Sequence, residues 1–142
     1  MRLSAREQVG LRAMIALAGT FGQGPSALSV IAERQQLPLP YLEQIAARLR
    51  RAGLLGSVRG AHGGYYLTRE PSRVSIRDVL AALEGQLVSL DCLAPGEAGC
   101  SREQGCQARG VWLRVQDCLE ETLSEITLAE VLQGAQAPGE DR

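Results

Sequence analysis

Apolar residues recur at helical spacing near the start of the chain. Ser4, followed three residues later by Glu7, has the spacing of a capping box at a helix N-terminus. The segment from Gly22 to Pro25 ends the pattern, so a largely buried helix is predicted over residues 5–21. Its apolar positions include Val9, Ala13, Met14, Leu17 and Ala18.

Two further amphipathic segments follow, separated by a short proline-containing turn. Leu28 to Gln35 is predicted to form a short helix with Ser29 as its N-cap. Tyr41 to Ala52 is predicted to form a second helix, with Pro40 at its first position and Gly53 as its C-terminal cap. This order indicates a helix-turn-helix, whose second helix enters the major groove of DNA. The polar positions of the second helix are Tyr41, Glu43, Gln44, Arg48, Arg50 and Arg51.

A hairpin is predicted directly after the second helix. Leu54–Val58 and the segment 65–68 have the composition of strands, and the glycine-rich residues 59–64 that of a turn. A hairpin in this position is the wing of a winged helix. Arg59 at its tip is placed to enter a narrow minor groove, where the negative potential is deepest. His62, the single histidine, is expected at a turn or on a phosphate rather than on a metal.

The remainder of the chain is predicted to be mainly helical. Residues 76–84 form a helix with Ser75 as N-cap and Gly85 as C-terminal cap. Residues 127–132 form a final helical turn, and residues 133–142 a frayed tail.

A longer helix is predicted over residues 107–125, and its apolar stripe needs a surface to cover it. We expect a second copy of the chain to supply that surface, because helix-turn-helix proteins usually read two half-sites. The stripe comprises Trp112, Val115, Leu119, Leu123 and Ile126, widened by Val111, Cys118 and Thr122.

The charge is divided unevenly along the chain. Residues 1–77 carry 11 arginines and 4 acidic residues, a net charge of +7, whereas residues 78–142 carry 4 arginines and 12 acidic residues, a net charge of −8. A basic first half suggests that this end meets a polyanion such as double-stranded DNA. No nucleophile with a nearby base, no paired acids and no phosphate loop are evident, so we do not expect an enzyme.

Three cysteines lie in the segment between the two halves. Cys92, Cys100 and Cys106 have the spacing C-x7-C-x5-C among glycines and a proline, which indicates a loop. A disulfide or a thiolate-bound soft metal would hold such a loop together. Without a secretion signal or a membrane-spanning run we expect the protein in the cytoplasm, where clustered cysteines more often indicate metal or redox chemistry. We interpret the loop as a sensor between a DNA-binding module and a pairing helix.

Five segments together carry a family resemblance: MRLS, PYLEQIAARLRRAGLL, SVRGAHGGYYL, the cysteine loop and ITLAEVL. Over residues 1–132 the chain resembles the iron–sulfur regulators of the IscR and NsrR type. The resemblance implies a mainly α, dimeric winged helix with a small β-hairpin and a long C-terminal dimerisation helix. It also implies that Cys92, Cys100 and Cys106 hold an iron–sulfur cluster, and that Tyr41, Glu43 and Arg59 contact operator DNA.

The domain organisation expected on this basis has four parts. Residues 1–85 form the DNA-binding domain and residues 86–106 the sensor loop. Residues 107–132 form the dimerisation helix and a final turn, and residues 133–142 a flexible tail.

The fourth cluster ligand departs from the family pattern. One branch has a histidine three residues after the third cysteine, where this chain has Arg109, which cannot ligate. Another branch uses an acid near the N-terminus of the partner chain. Here Gln8 occupies that position, and the adjacent Glu7 could be the fourth ligand if the first helix starts slightly differently. Three thiolates and an oxygen ligand fit a two-iron or a four-iron centre, and we favour the two-iron form. Cys118 is expected to be a small buried hydrophobic residue.

Three alternatives remain open at this point. The thiols suit structural zinc, although zinc generally takes four good ligands. They also suit a thiol–disulfide switch without metal on the same DNA-binding fold. A protein-interaction adaptor is the third alternative, and the positive charge of residues 1–77 argues against it.

Overall fold

The computed structural model describes residues 3–84 and 105–136 of the chain, which form six α-helices, one short 3-10 helix and one hairpin. No helix in these two ranges is long and apolar enough to cross a membrane. The elements are α1 (Ala5–Gly19), α2 (Leu28–Gln35), α3 (Leu39–Arg51), β1 (Leu55–Val58), β2 (Gly64–Leu67), the 3-10 helix (Pro71–Arg73), α4 (Ile76–Glu84), α5 (Gln107–Glu125) and α6 (Leu128–Gln136).

Two predicted N-caps are confirmed. The Ser4 hydroxyl accepts a hydrogen bond from the Glu7 amide, and the Glu7 carboxylate accepts one from the Ser4 amide at 2.7 Å, so the capping box of α1 is complete. Ser75 and Asp78 make the same reciprocal pair, both at 3.1 Å, at the start of α4. α1 ends at Gly19, two residues before the predicted end, because the Thr20 hydroxyl donates to the Leu17 carbonyl.

The prediction of Ser29 as the N-cap of α2 is wrong. Ala27 occupies that position, and Ser29 is the second residue of the helix. The reason is a backbone pairing between the segment before α2 and the hairpin. The amide and carbonyl of Ser26 each pair with Tyr65 at 2.8 Å, so the extended chain ends there and α2 begins at Leu28.

α3 starts two residues earlier than predicted, at Leu39, with Pro38 as its N-cap. Pro40 is therefore the second residue of the helix, where its missing N–H still costs nothing because first-turn amides have no intrahelical acceptor. At the other end, Gly53 has φ of +83°, which confirms its predicted role as the glycine that terminates the helix.

The buried core is contributed by both halves of the chain. α4 lies against α1 and α3, and Leu83 fills the space that a side chain on Gly10 would need. Leu128, at the start of α6, is fully buried in the same core. Two backbone hydrogen bonds hold it there: Ile76 donates to the Ile126 carbonyl at 2.9 Å, and Leu128 donates to the Val74 carbonyl at 3.0 Å.

α6 is longer than the predicted helical turn and continues to Gln136, so the prediction of a frayed tail is wrong for residues 133–136. The helix begins with a capping box that the sequence reasoning missed. The Thr127 amide donates to the Glu130 carboxylate at 2.9 Å, and the Glu130 amide donates to the Thr127 hydroxyl at 3.2 Å. Residues 137–142 lie outside the described ranges.

β1 and β2 pair antiparallel, with Val58 opposite Gly64, and form the predicted wing. Gly64 has φ of +155°, and its Cα faces the Ser26 backbone so closely that a Cβ would overlap the Ser26 carbonyl oxygen. Only glycine fits where the wing is tied to the chain before α2. Three helices packed with a wing confirm the predicted fold class, a mainly α winged helix-turn-helix followed by a long C-terminal helix.

We expect Gly64→Ala to lower the free energy of unfolding by about 2–3 kcal/mol, because the added Cβ must displace backbone rather than a flexible side chain. Urea denaturation followed by circular dichroism measures the change. Ala61→Ser, at the exposed tip of the same wing, is the control and should change stability by less than about 0.5 kcal/mol. Equal stabilities of Gly64→Ala and wild type would contradict the assigned packing of the wing.

Candidate functional site

α3 presents a polar and charged face to solvent. Glu43, Gln44, Arg50 and Arg51 are exposed on this face, so the structure brings together four of the predicted DNA-contacting residues. The opposite face packs into the core because its residues are apolar. The buried residues are Leu42, Ile45, Ala46 and Leu49. This arrangement places two arginines and two hydrogen-bonding side chains where a major-groove recognition helix needs them.

Tyr41 and Arg48 lie at one edge of this face, and Arg48 is exposed like Gln44, one turn before it. Tyr41 is half-buried and packs against the core. The Arg48 guanidinium turns toward α4, where its Nη1 donates to the Leu83 carbonyl at 3.3 Å. The structure therefore gives Arg48 a partner inside the protein that the sequence pattern did not reveal.

The wing supplies a second exposed surface beside α3. Arg59 and His62 are both exposed at its tip. A groove of about 440 Å³ separates the base of the wing from α2 and α3. Its lining includes Ser29 and Glu43 on the helix side and Gly63 on the wing side. Glu43 thus lies on the side of α3 that faces the groove and the wing.

The turn between α2 and α3 is fixed by a residue that the sequence reasoning missed. Gln36 is left-handed, with φ of +54°, and among the described residues it is the sole non-glycine with positive φ. Arg12 of α1 stabilises this turn, since its Nη2 donates to the Gln35 carbonyl at 2.7 Å and to the Gln35 side chain at 3.1 Å. The available signal was Arg12, which stands among the apolar residues between Val9 and Ala18.

Of the three predicted cluster ligands, the structure describes Cys106; Cys92 and Cys100 lie outside the described residues. Cys106 is the N-cap of α5 and is partly exposed. Amides in the first turn of a helix lack intrahelical acceptors, and the helix dipole favours negative charge there. The Cys106 side chain makes no capping hydrogen bond to α5, and its role as a ligand stays a prediction. Within residues 3–84 and 105–136, no three potential metal ligands converge.

Glu7, the predicted fourth ligand, is only 5% exposed and accepts the capping hydrogen bond from Ser4. Helix α1 starts at the predicted residue, so the shifted start that would free Glu7 is not observed. Gln8 is exposed, and its amide nitrogen donates to the Leu3 carbonyl at 3.1 Å. The role of Glu7 as a ligand stays a prediction.

The single apolar stripe predicted on α5 has two parts in the structure. Leu119, Leu123 and Ile126 are partly covered by the rest of the chain, and the Glu120 carboxylate pairs with Arg77 of α4. A second face is open to solvent. We call it the α5 seam: Val111 (56% exposed), Val115 (42% exposed), Cys118 and Thr122.

The spacing within the α5 seam is four, three and four residues. This is the spacing of a coiled-coil contact line. Cys118 is exposed in the described chain, so the prediction that it is buried is wrong for a single copy. The reason is that it faces away from α4, along the seam.

Comparison with known proteins bears on these features. The Rrf2 family, described as iron-dependent transcriptional regulators, matches residues 3–134. The HTH-type transcriptional regulator CymR of Bacillus subtilis is 37% identical over 131 residues, covering 92% of this chain and 89% of CymR. The HTH-type transcriptional regulator IscR of Escherichia coli is 36% identical over 132 residues, covering 93% of this chain and 80% of IscR.

The fold agrees with solved structures of the same two kinds. The structure of T. potens IscR has a TM-score of 0.80 and 39% identity, and the match covers 100% of this chain and 93% of that chain. The structure of CymR, the global cysteine regulator of B. subtilis, has a TM-score of 0.78 and 35% identity, covering 94% of this chain and 98% of that one. The predicted resemblance is confirmed, and the chain belongs to the Rrf2 family of transcriptional regulators.

Proposed function

We propose that this regulator acts as a homodimer whose affinity for operator DNA is controlled by an iron–sulfur cluster. The observation that carries the proposal is the position of Cys106. This cysteine of the predicted ligand set occupies the N-cap position of α5, the helix that bears the exposed α5 seam. A ligand bound to Cys106 therefore acts directly on the element that sets the spacing of two recognition helices.

DNA binding rests on the exposed face of α3 and on the wing. Arg50 and Arg51 suit phosphates or guanine edges, and Gln44 suits adenine. The Glu43 carboxylate can accept a hydrogen bond from the amino group of a cytosine. Where another base stands at that position, the carboxylate is repelled by the DNA phosphates, and this lowers the affinity for the wrong sequence. Arg59 at the wing tip reaches toward the adjacent minor groove.

Cys92, Cys100 and Cys106 would hold the cluster through three thiolates, and Glu7 would supply an oxygen ligand only if its capping hydrogen bond from Ser4 were broken. When bound, such a cluster supplies a redox-active centre that responds to oxidants, nitric oxide or the supply of clusters. The contribution of the chain is to join the ligand loop to α5 at Cys106. We favour a two-iron centre over a four-iron centre.

A cluster-free thiol switch is the second candidate function. The similarity to CymR supports it, because one solved structure of Staphylococcus aureus CymR, 35% identical to this chain, is of an oxidized form. In that case oxidation and reduction of the same cysteines would change the order of the loop without metal. The DNA-binding surface and the α5 seam would serve both candidates equally.

Cysteine substitution separates the two candidates. We expect the wild-type protein, purified without oxygen, to be coloured and to contain iron and sulfide, and Cys106→Ser to be colourless. Cys118→Ser is the matched control and should keep the cluster, since Cys118 lies on the seam and not in the ligand set.

DNA binding is then measured on the DNA upstream of the gene, with and without the cluster. We expect affinities that differ by about 5–150-fold, the usual range for coupling between two sites. Equal affinities would rule out control by the cluster. A colourless wild-type protein whose DNA affinity responds to thiol oxidation would establish the thiol switch instead.

Dimerisation through the α5 seam is tested by placing a charge in it. We expect Val115→Glu to weaken the dimer by at least about 3 kcal/mol, because an unpaired carboxylate would be buried beside its copy. Analytical ultracentrifugation gives the dissociation constant. Leu113→Glu, on the opposite side of the same helix, is the control and should remain dimeric. If Val115→Glu and Leu113→Glu both dimerise with equal dissociation constants, the dimer interface does not involve the α5 seam.

A further inference from the structure

The last turn of α4 is held by side chains from two other helices. Arg48 of α3 donates to the Leu83 carbonyl at 3.3 Å. The Ser4 hydroxyl, at the start of α1, donates to the Glu84 carboxylate at 2.7 Å, and Arg6 lies 3.5 Å from the same carboxylate oxygen. We call this set of contacts the α4 junction.

Helix physics explains the contact from Arg48. The last carbonyls of a helix have no intrahelical donor, and the C-terminal end of the dipole favours a cation. Arg48 provides a donor and a positive charge to the last turn of α4 that the structure describes. The Leu83 side chain is buried against Gly10 of α1, so this turn cannot move without its neighbours.

The α4 junction also lies between the two ends of the proposed switch. Glu84 lies two residues before the start of the predicted sensor loop, residues 86–106, in the sequence. Ser4, which contacts Glu84, is also the partner of Glu7 in the capping box of α1. A continuous set of hydrogen bonds therefore joins Glu7, Ser4 and Glu84, and the neighbouring Leu83 carbonyl joins them to Arg48 on α3.

We propose that Arg48 is a positioning residue that couples the base of the cysteine loop to the recognition helix, rather than a contact to DNA. This inference rests on the proposed function, since it concerns how the state of the loop reaches the DNA-binding face. The contact makes the orientation of α3 depend on the last turn of α4. Without the contact, α3 keeps its fold and its DNA-binding face but responds less to the loop.

Two substitutions in the full-length protein distinguish a coupling role from a phosphate contact. Arg48→Met keeps the length of the side chain and removes its donors and charge. Arg48→Lys keeps the charge, which would preserve attraction to a phosphate, but it lacks the planar fork and the reach of arginine. Arg51→Met, on the exposed face of the same helix, is the matched control for loss of a DNA contact.

The first measurement is the ratio of DNA affinities with and without the cluster. We expect this ratio to fall about fivefold or more toward one in both Arg48 variants, the lower end of typical coupling between sites. Arg51→Met should weaken both forms equally and leave the ratio unchanged. Thermal unfolding of each variant verifies that it is folded.

The second measurement needs no cluster: the dependence of DNA binding on salt concentration in the cluster-free protein. Loss of one phosphate contact reduces the slope of log affinity against log salt by about one. We expect that reduction for Arg51→Met and an unchanged slope for both Arg48 variants.

The outcomes separate this inference from the proposed function. If the ratio of DNA affinities with and without the cluster is well above one in the wild type and the same in Arg48→Met, the coupling role is overturned and the proposed function stands. A reduced salt slope in Arg48→Met with full binding by Arg48→Lys also overturns the coupling role and identifies a phosphate contact. A wild-type ratio of one overturns the proposed function, and the coupling role with it.

Discussion

The close packing of α4 against α1 is the constraint on which the arrangement of the helices depends. Leu83 occupies the space beside Gly10, so the two helix axes approach more closely than side chains on both would permit. Close packing of this kind leaves few intermediate positions, and a displaced helix must move as a unit with its neighbours. The recognition helix is one of those neighbours.

The fold places many of the basic and acidic residues on different helices. The arginines of the basic first half include those on α3 and on the wing, whereas α5 and α6 carry five of the twelve acids of the second half. The α5 seam is apolar and exposed, with Arg114 beside Val111 and Val115, and such a surface suits contact with another protein better than contact with DNA.

Much of this fold could be predicted because local signals and tertiary packing agree. The capping boxes of Ser4 and Ser75, the glycine after α3 and the glycine-rich wing each mark a boundary in the sequence, and the structure places the boundaries there. Ser29 misled the prediction because a long-range pairing between Ser26 and Tyr65 fixes the start of α2. No local pattern contains that pairing.

The candidate site was less predictable for the same physical reason. Periodicity identifies which residues of α3 are polar, but it does not say whether a given arginine faces DNA or a neighbouring helix. Arg48 shares its side-chain type with Arg50 and Arg51, but it donates to a carbonyl of another helix, whereas Arg51 donates within its own helix to the Ala47 carbonyl. The α5 stripe shows the same limit, because one apolar pattern covers both a face packed on its own chain and a face left open.

Leu128 has a consequence for how the protein is made. This residue is fully buried in the same core as α1, α3 and α4, and it lies near the end of the sequence. During synthesis, chains fold from the N-terminal side as they emerge. The DNA-binding core therefore stays incomplete until the cysteine segment has already been translated, so a ribosome-bound fragment ending before α6 exposes apolar surface that only the finished chain covers.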